Sequence, residues 1–261
     1  MVSFEKVHEM ELVYLESLSK RMELEWGSLF VDSEQPNYYD ANHAHITKAV
    51  EHPSRIIAFV KEFYQSKGLI PRFYIYNLEK QTNLLKELKF HHFKVEEFIS
   101  PVQLWNHQVT HSTNERVTVE YVTENNFQQA LEIECSIKEF GGREVREKAF
   151  PLEFRHASYT HYLLKYDNIP CSSACIFTKD KQARLESVAT LEEYRGKGLI
   201  GELISFIQRD VKRAEYEQLW VFPINEAVEK VYSKYGFDTV GKMKTAHAYL
   251  SGKGIKEIQG Q

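Results

Sequence analysis

Arg195-Gly196-Lys197-Gly198-Leu199-Ile200-Gly201 decides how the rest of this chain is read. The stretch follows a strand-like run over 184–190 and opens a helical pattern that continues to about residue 216. A helix entered from such a turn leaves its first N–H groups without intrahelical acceptors, at the positive end of the helix dipole. That terminus attracts anions. Gly196 and Gly198 let main chain approach a ligand with no Cβ in the way, and Arg195 and Lys197 add fixed positive charge. The stretch therefore reads as a site for a phosphorylated cofactor held by its pyrophosphate. Two other phosphate motifs do not fit. A P-loop needs a Gly, four residues, then Gly-Lys-Ser/Thr, whereas Gly198 is followed by Leu199 here and no hydroxyl is placed for a metal ion. A dinucleotide fingerprint needs three spaced glycines and an acid about 20 residues on, a spacing this segment lacks.

A second block lies downstream, Asn225-Glu226-Ala227-Val228-Glu229-Lys230-Val231-Tyr232-Ser233-Lys234-Tyr235-Gly236-Phe237. The first stretch resembles the coenzyme A loop of the GNAT acetyltransferase superfamily, Arg/Gln-x-x-Gly-x-Gly/Ala. The lead-in Val188-Ala189-Thr190-Leu191-Glu192-Glu193-Tyr194 is similar to that family's strand and approach. The second block is similar to its closing signature, Asn, a short helix, then Leu-Tyr-x-x-x-Gly-Phe. The resemblance covers about residues 116–250. One position departs from the pattern: the last motif residue, usually Gly or Ala, is Ile200, with Gly201 one residue later.

The resemblance implies a mixed α/β sheet with helices on both faces. It also implies acetyl transfer from acetyl-CoA, as co-substrate, to an amine by direct attack in a ternary complex. Under that reading the main chain of Val188, Ala189 and Thr190 lies along the thioester. Arg195, Gly196, Lys197, Gly198, Leu199, Ile200 and Gly201 hold the pyrophosphate, and Asn225 sits near the cofactor. Tyr232 matches the family's usual acid for the departing thiolate; a phenol with a pKa of about 10 stays protonated and can still donate. The amine must lose a proton, and Glu186, on the strand leading to the loop, is the first candidate base. The acid that family members often carry on the strand before the Asn helix is missing from Leu219-Trp220-Val221-Phe222. Asn is also a favoured helix N-cap, and both roles can hold for Asn225.

The chain has 261 residues, enough for two domains, and a hydrophobic fraction of 43% supplies ordinary core material. Its net charge of −4 argues against a general nucleic-acid or membrane-surface protein. Met1-Val2-Ser3-Phe4-Glu5-Lys6 lacks the apolar centre of a signal peptide, and no run reaches the roughly 18 apolar residues of a membrane span. Cys135, Cys171 and Cys175 form no disulfide framework, which favours a reduced cytoplasmic setting. Cys171 and Cys175 are expected on one face of a strand.

Along the N-terminal half, apolar spacing predicts a helix over 4–30, a turn-rich segment over 32–40 and a second helix over 54–66. A strand is predicted over 71–76, a helix over 81–88, a turn at His91-His92, then a strand to 104. Asn42-His43-Ala44-His45 reads as a loop; two histidines without Cys or carboxylate partners do not make a metal site, and no metal is expected. The helix ending in Leu-Lys-Phe before a strand resembles the block at Tyr235-Gly236-Phe237. The first half thus reads as a degenerate GNAT-like copy, and with no basic glycine-rich turn before residue 110 it is not expected to bind coenzyme A. Residues 106–115 read as a linker, giving domains 1–112 and 113–261. In the second half strands are expected over 117–122, 159–166, 171–178, 184–190 and 219–222. Helices are expected over 124–137, 144–156 and around Tyr232, with strands to 250 and a frayed polar tail over 251–261.

The acceptor is a small-molecule or peptide amine that the sequence does not name, and the oligomeric state is open. Two other readings remain: transfer of a longer acyl or aminoacyl group, and a non-catalytic acyl-CoA-binding module.

Overall fold

The computed structural model describes residues 4–109 and 114–258. In chain order the elements are α1 (Phe4–Leu18), β1 (Lys20–Leu24), β2 (Gly27–Val31), β3 (His43–Ile46), α2 (Pro53–Gln65), β4 (Arg72–Ile75), α3 (Thr82–Phe90) and β5 (Lys94–Trp105). There follow β6 (Val117–Tyr121), α4 (Phe127–Cys135), α5 (Arg143–Arg155), β7 (Tyr159–Tyr166), β8 (Ile169–Lys179), β9 (Gln182–Thr190), α6 (Leu199–Arg213), β10 (Gln218–Val221), α7 (Glu226–Ser233), β11 (Phe237–Tyr249) and α8 (Ile255–Ile258). The chain is of mixed α/β class.

These elements form two compact units, Met1–Met10 with Pro101–Lys242, and Glu11–Ser100 with Met243–Gln261. The units do not follow the linear division 1–112 and 113–261, because α1, β5 and β11 each give one end to either unit. In the second unit the strand order is β1-β2-β3-β4-β11, and in the first it is β5-β10-β9-β8-β7-β6. Among the described residues β3 pairs parallel with β4 in the second unit, and β9 with β10 in the first. The succession β1-β2-β3-α2-β4-α3-β5 is repeated by β7-β8-β9-α6-β10-α7-β11, but the last strands are exchanged. β4 pairs antiparallel with β11, and β10 pairs antiparallel with β5.

In the unit that carries the loop, α6 and α4–α5 cover opposite faces of the sheet. Leu199, Leu203, Ile204, Ile207 and Val211 recur at helical spacing and bury against Tyr162, Leu164, Ile176 and Leu185. On the other face Ala130, Leu131, Ile133 and Phe150 pack on Leu163 and Ala189. In the other unit Leu29, Ala44, Ile46, Phe73 and Ile75 bury against Ile57, Val60, Leu84 and Leu88.

Several expectations are corrected. The helix expected over 4–30 ends at Leu18, and a hairpin follows. Met22 and Trp26 continue the helical spacing by coincidence, and Met22 is 41% exposed. Gly27 explains the hairpin: at φ 153° a Cβ there would stand 1.9 Å from the carbonyl oxygen of His45, so no other residue fits. Of the loop expected at 42–45, residues 43–45 instead belong to the buried strand β3. Ala44 and Ile46 face the core, while His43 and His45 point the other way into aromatic rings. His43 stacks on Tyr74 with centroids 4.1 Å apart and its Nε2 lies 3.2 Å from His45 Nδ1. Burial pushes His43 down to about 3, so polar residues hid a period-two pattern. The tail is not frayed over 251–258: α8 forms there, and the Ile255 amide donates to Glu96 at 2.9 Å. Residues 106–109 of the expected linker are pinned, with the Asn106 amide donating to the Gly236 carbonyl at 2.9 Å; 110–113 and 259–261 lie outside the described residues.

Cys171 and Cys175 do not share a face. The β7–β8 register runs Leu164↔Ser172 and then Lys165↔Pro170, so Cys171 is an extra bulged residue. Cys171 packs with the α6 core, whereas Cys175 faces Glu134, Arg146 and Glu153.

Candidate active site

β9 and β10 run side by side only from Gln182↔Gln218 to Leu185↔Val221. β9 then continues to Thr190 paired with β8 alone, so one edge of Glu186–Thr190 has no strand partner among the described residues. The β8–β9 register steps from Cys175↔Glu186 to Ser173↔Ala189, which leaves an extra residue on β9. The bulge is centred on Ser187, whose φ of 49° is left-handed, a conformation that costs a non-glycine residue about 1 kcal/mol or more. Beyond it the Leu191 amide donates to the Cys171 carbonyl at 2.9 Å. The alternation of an antiparallel ladder therefore turns the amides of Val188 and Thr190 to the open edge.

The chain leaves β9 through a single turn of 3₁₀ helix, Glu192–Tyr194, and enters the glycine loop. Gly196 and Gly198 have φ of 77° and 75°, and Gly198 caps α6 without a side-chain hydrogen bond. Among the described residues no acceptor meets the amides of Gly196, Lys197, Gly198, Leu199 or Ile200; the next, Gly201, donates to the Gly198 carbonyl at 3.0 Å. Five consecutive unspent donors at a helix start are what an anion site requires. Arg195 Nε donates to the Thr190 carbonyl at 3.1 Å, which ties the loop's first cation to the strand end.

The other candidate residues do not all face that loop. Leu199 is buried in the core and Ile200 packs partly against it. Gly201 is buried beneath the Tyr235 ring, and a Cβ there would lie 2.6 Å from Tyr235 Cε1. Its lack of a side chain serves packing. Asn225 is the N-cap of α7, its Oδ1 accepting the Val228 amide at 2.9 Å.

Tyr232 lies on α7, 5% exposed, and its hydroxyl has no hydrogen-bond partner among the described residues. Burial, and then the negative charge of Glu186, push its phenol above the ordinary value of about 10. Glu186 is paired with Arg184, two residues earlier on the same strand. The Arg184 guanidinium is in turn stacked 4.6 Å from the Phe222 ring centroid. A sequence reading passed over Arg184; the signal available was Arg-x-Glu at strand spacing, which places both side chains on one face. The Ser187 bulge and the Gly201–Tyr235 contact had no sequence signal.

A sequence model of the acetyltransferase (GNAT) family matches residues 127–237. This segment is a GNAT domain. It runs from the start of α4 to the first residue of β11. A search among curated proteins found no sequence match. Solved structures do match in fold. A conserved protein of unknown function from Staphylococcus epidermidis is 14% identical, with 96% of this chain and 98% of that one covered and a TM-score of 0.75. A GCN5-related N-acetyltransferase from Kribbella flavida is 15% identical, with 95% of each chain covered and a TM-score of 0.66. A GCN5-related N-acetyltransferase-like protein from Streptococcus suis is 14% identical, with 85% and 82% covered and a TM-score of 0.54. At these identities the likeness is one of fold.

On the α4–α5 face of the GNAT domain lies a second charged group. Arg146 is held between Glu134 at 2.5 Å and Glu153 at 2.6 Å, all three buried. Burial pushes Glu134 up to about 7, and the cross-strand neighbour of Cys175, His161, is pushed down to about 4. Burial raises all three thiols, Cys171 to about 11, so none is a ready thiolate. No cluster of three or more metal-ligating side chains occurs among the described residues.

Proposed function

We propose that the chain is an acetyl-CoA-dependent N-acetyltransferase acting on a primary amine of a small molecule or peptide. The observation that carries this reading is the parting of β9 from β10 directly above five unspent amides. A pantetheine arm laid along the open edge meets the amides of Val188 and Thr190, while its pyrophosphate meets 196–200 and Arg195. Acetyl-CoA supplies the activated acyl group. A main-chain N–H aimed at the thioester oxygen stabilises the charge that develops there.

The amine nitrogen attacks the thioester carbon, the carbon–sulfur bond breaks, and the acetyl group ends on nitrogen. Glu186 takes the proton the amine loses, with Arg184 and its Phe222 stack holding the carboxylate in place. Tyr232 gives its hydroxyl proton to the departing thiolate, and the proton on Glu186 returns to the tyrosinate through solvent. The raised phenol supports a group that stays protonated until sulfur needs it. Three protonated, buried thiols support attack without a cysteinyl intermediate, and they fit a cytoplasmic setting.

Residues 1–112 are, on this reading, a degenerate copy of the same unit. The repeated succession of strands and helices supports it. Between β3 and α2 the copy has Thr47-Lys48-Ala49-Val50-Glu51-His52 and Pro53 at the first helical position, with no glycine and one amide fewer. It is therefore not a coenzyme A site.

The test is thermal stabilisation by acetyl-CoA, followed by thiol release with a panel of amines. Stabilisation with turnover supports the transferase. Stabilisation without release for any amine or acyl length points to a binding module, and no shift with any acyl-CoA removes both.

A further inference from the structure

Beside the glycine loop two cations are held on tyrosine rings. Lys197 Nζ lies 4.6 Å from the Tyr194 ring centroid and 5.5 Å from that of Tyr166. The Arg116 guanidinium lies 4.3 Å from the Tyr166 ring, and the two rings meet edge to face at 6.3 Å. Asp167 fixes the guanidinium further: Nε donates to Oδ1 at 2.8 Å, and Nη2 pairs with Oδ2. Arg116 Nη1 is left without a partner among the described residues. Both partners of this pair are exposed, 59% and 46% at the side chain. Long exposed cations are ordinarily mobile, and each ring contact holds one in place at little further cost.

We propose that Arg116 and Lys197, set on Tyr166 and Tyr194, form a subsite for the 3′-phosphate on the ribose of coenzyme A. The inference rests on the loop binding the pyrophosphate. With that group at 196–200, the remaining anion of the coenzyme is one ribose away, and Lys197 already reaches from the loop towards Tyr166. Asp167, Glu192 and Glu193 carry opposing charge around the patch, so it is no general anion surface. What it offers a phosphate is position: Nη1 of Arg116 and the ammonium of Lys197, brought together by a pair of rings. The subsite would make the enzyme select coenzyme A esters over acyl carriers that end at the phosphopantetheine.

Calorimetry with acetyl-CoA and acetyl-dephospho-CoA tests this. The native chain is expected to bind the first about tenfold more tightly, a difference of about 1.4 kcal/mol. Arg116→Gln brings that ratio towards one. Asp167→Asn, which frees the guanidinium, raises it. Arg195→Gln weakens both ligands and leaves the ratio unchanged, since the pyrophosphate is common to them. Equal affinity of the native chain for both ligands overturns the subsite and leaves the transferase reading standing. Binding of neither overturns both. A ratio that Arg116→Gln and Asp167→Asn leave unmoved also overturns the subsite.

Discussion

Replacing Gly201 by alanine separates the two roles open to that residue. Gly201 is buried on α6, and a Cβ built there stands 2.6, 2.7 and 2.8 Å from Cε1, Oη and Cζ of Tyr235. Contacts this short force a shift. The ring is half-buried and can swing outward, but its carbonyl is fixed by Gln208 Nε2 at 2.6 Å, so the main chain cannot follow. Overpacking of this kind costs about 1–3 kcal/mol. Alanine recovers about 1 kcal/mol over glycine inside a helix. The net loss is therefore about 1 kcal/mol, or about 2–4 °C in midpoint for a domain of this size. The decisive arm is the same substitution in a Tyr235→Ala background. There the clash is gone and only the helix preference remains, so Gly201→Ala becomes stabilising by about 1 kcal/mol. Denaturant midpoints of the four proteins give the coupling directly. An equal effect in both backgrounds refutes the packing assignment. So does unchanged stability with weakened acetyl-CoA binding, which would return Gly201 to the cofactor channel.

Tyr232→Phe removes one unpaired hydroxyl from a buried ring. Stability is expected to hold within about 0.5 kcal/mol and kcat to fall about 100-fold with KM for acetyl-CoA little changed; undiminished kcat excludes the proposed acid. Acid should destabilise the protein well above the carboxylate range. His43 and His247 are pushed to about 3 and His161 to about 4, each mainly by burial, so between pH 6.5 and 5 the unfolded chain binds three protons that the folded chain does not. Glu134, raised to about 7, acts in the opposite sense over the same window, because its folded form keeps a proton the unfolded chain has lost. The net is about two protons, so stability falls by about 2–3 kcal/mol per pH unit below 6.5; urea midpoints that stay level from pH 7 to 5 contradict this. Arg146→Met leaves Glu134 and Glu153 facing each other without a cation, and a loss of about 3–5 kcal/mol at pH 7, smaller at pH 5.5 where Glu134 protonates, is expected in calorimetric scans.

The loop, the α6 stripe and the Asn225 cap were legible because each depends on neighbours in sequence. Glycine conformation, helical periodicity and capping are settled within a few residues, so Gly196, Gly198 and the row from Leu199 to Val211 speak for themselves. What sequence alone did not determine is whatever depends on a partner far along the chain. Nothing near Gly201 announces Tyr235, and nothing near His43 announces the rings of Phe30 and Tyr74 on which it stacks within β3. Arg184 acquires its meaning from Glu186 and Phe222 together. The exchange of β5 and β11 between two repeated units overrides any linear domain boundary, because hydrogen-bond partners in a sheet are chosen by register in space. The sequence determined which main-chain amides would be left unspent at the start of α6. Only the tertiary structure decided that β9 would part from β10 above them, since that opening exists where one strand outruns the pairing of another.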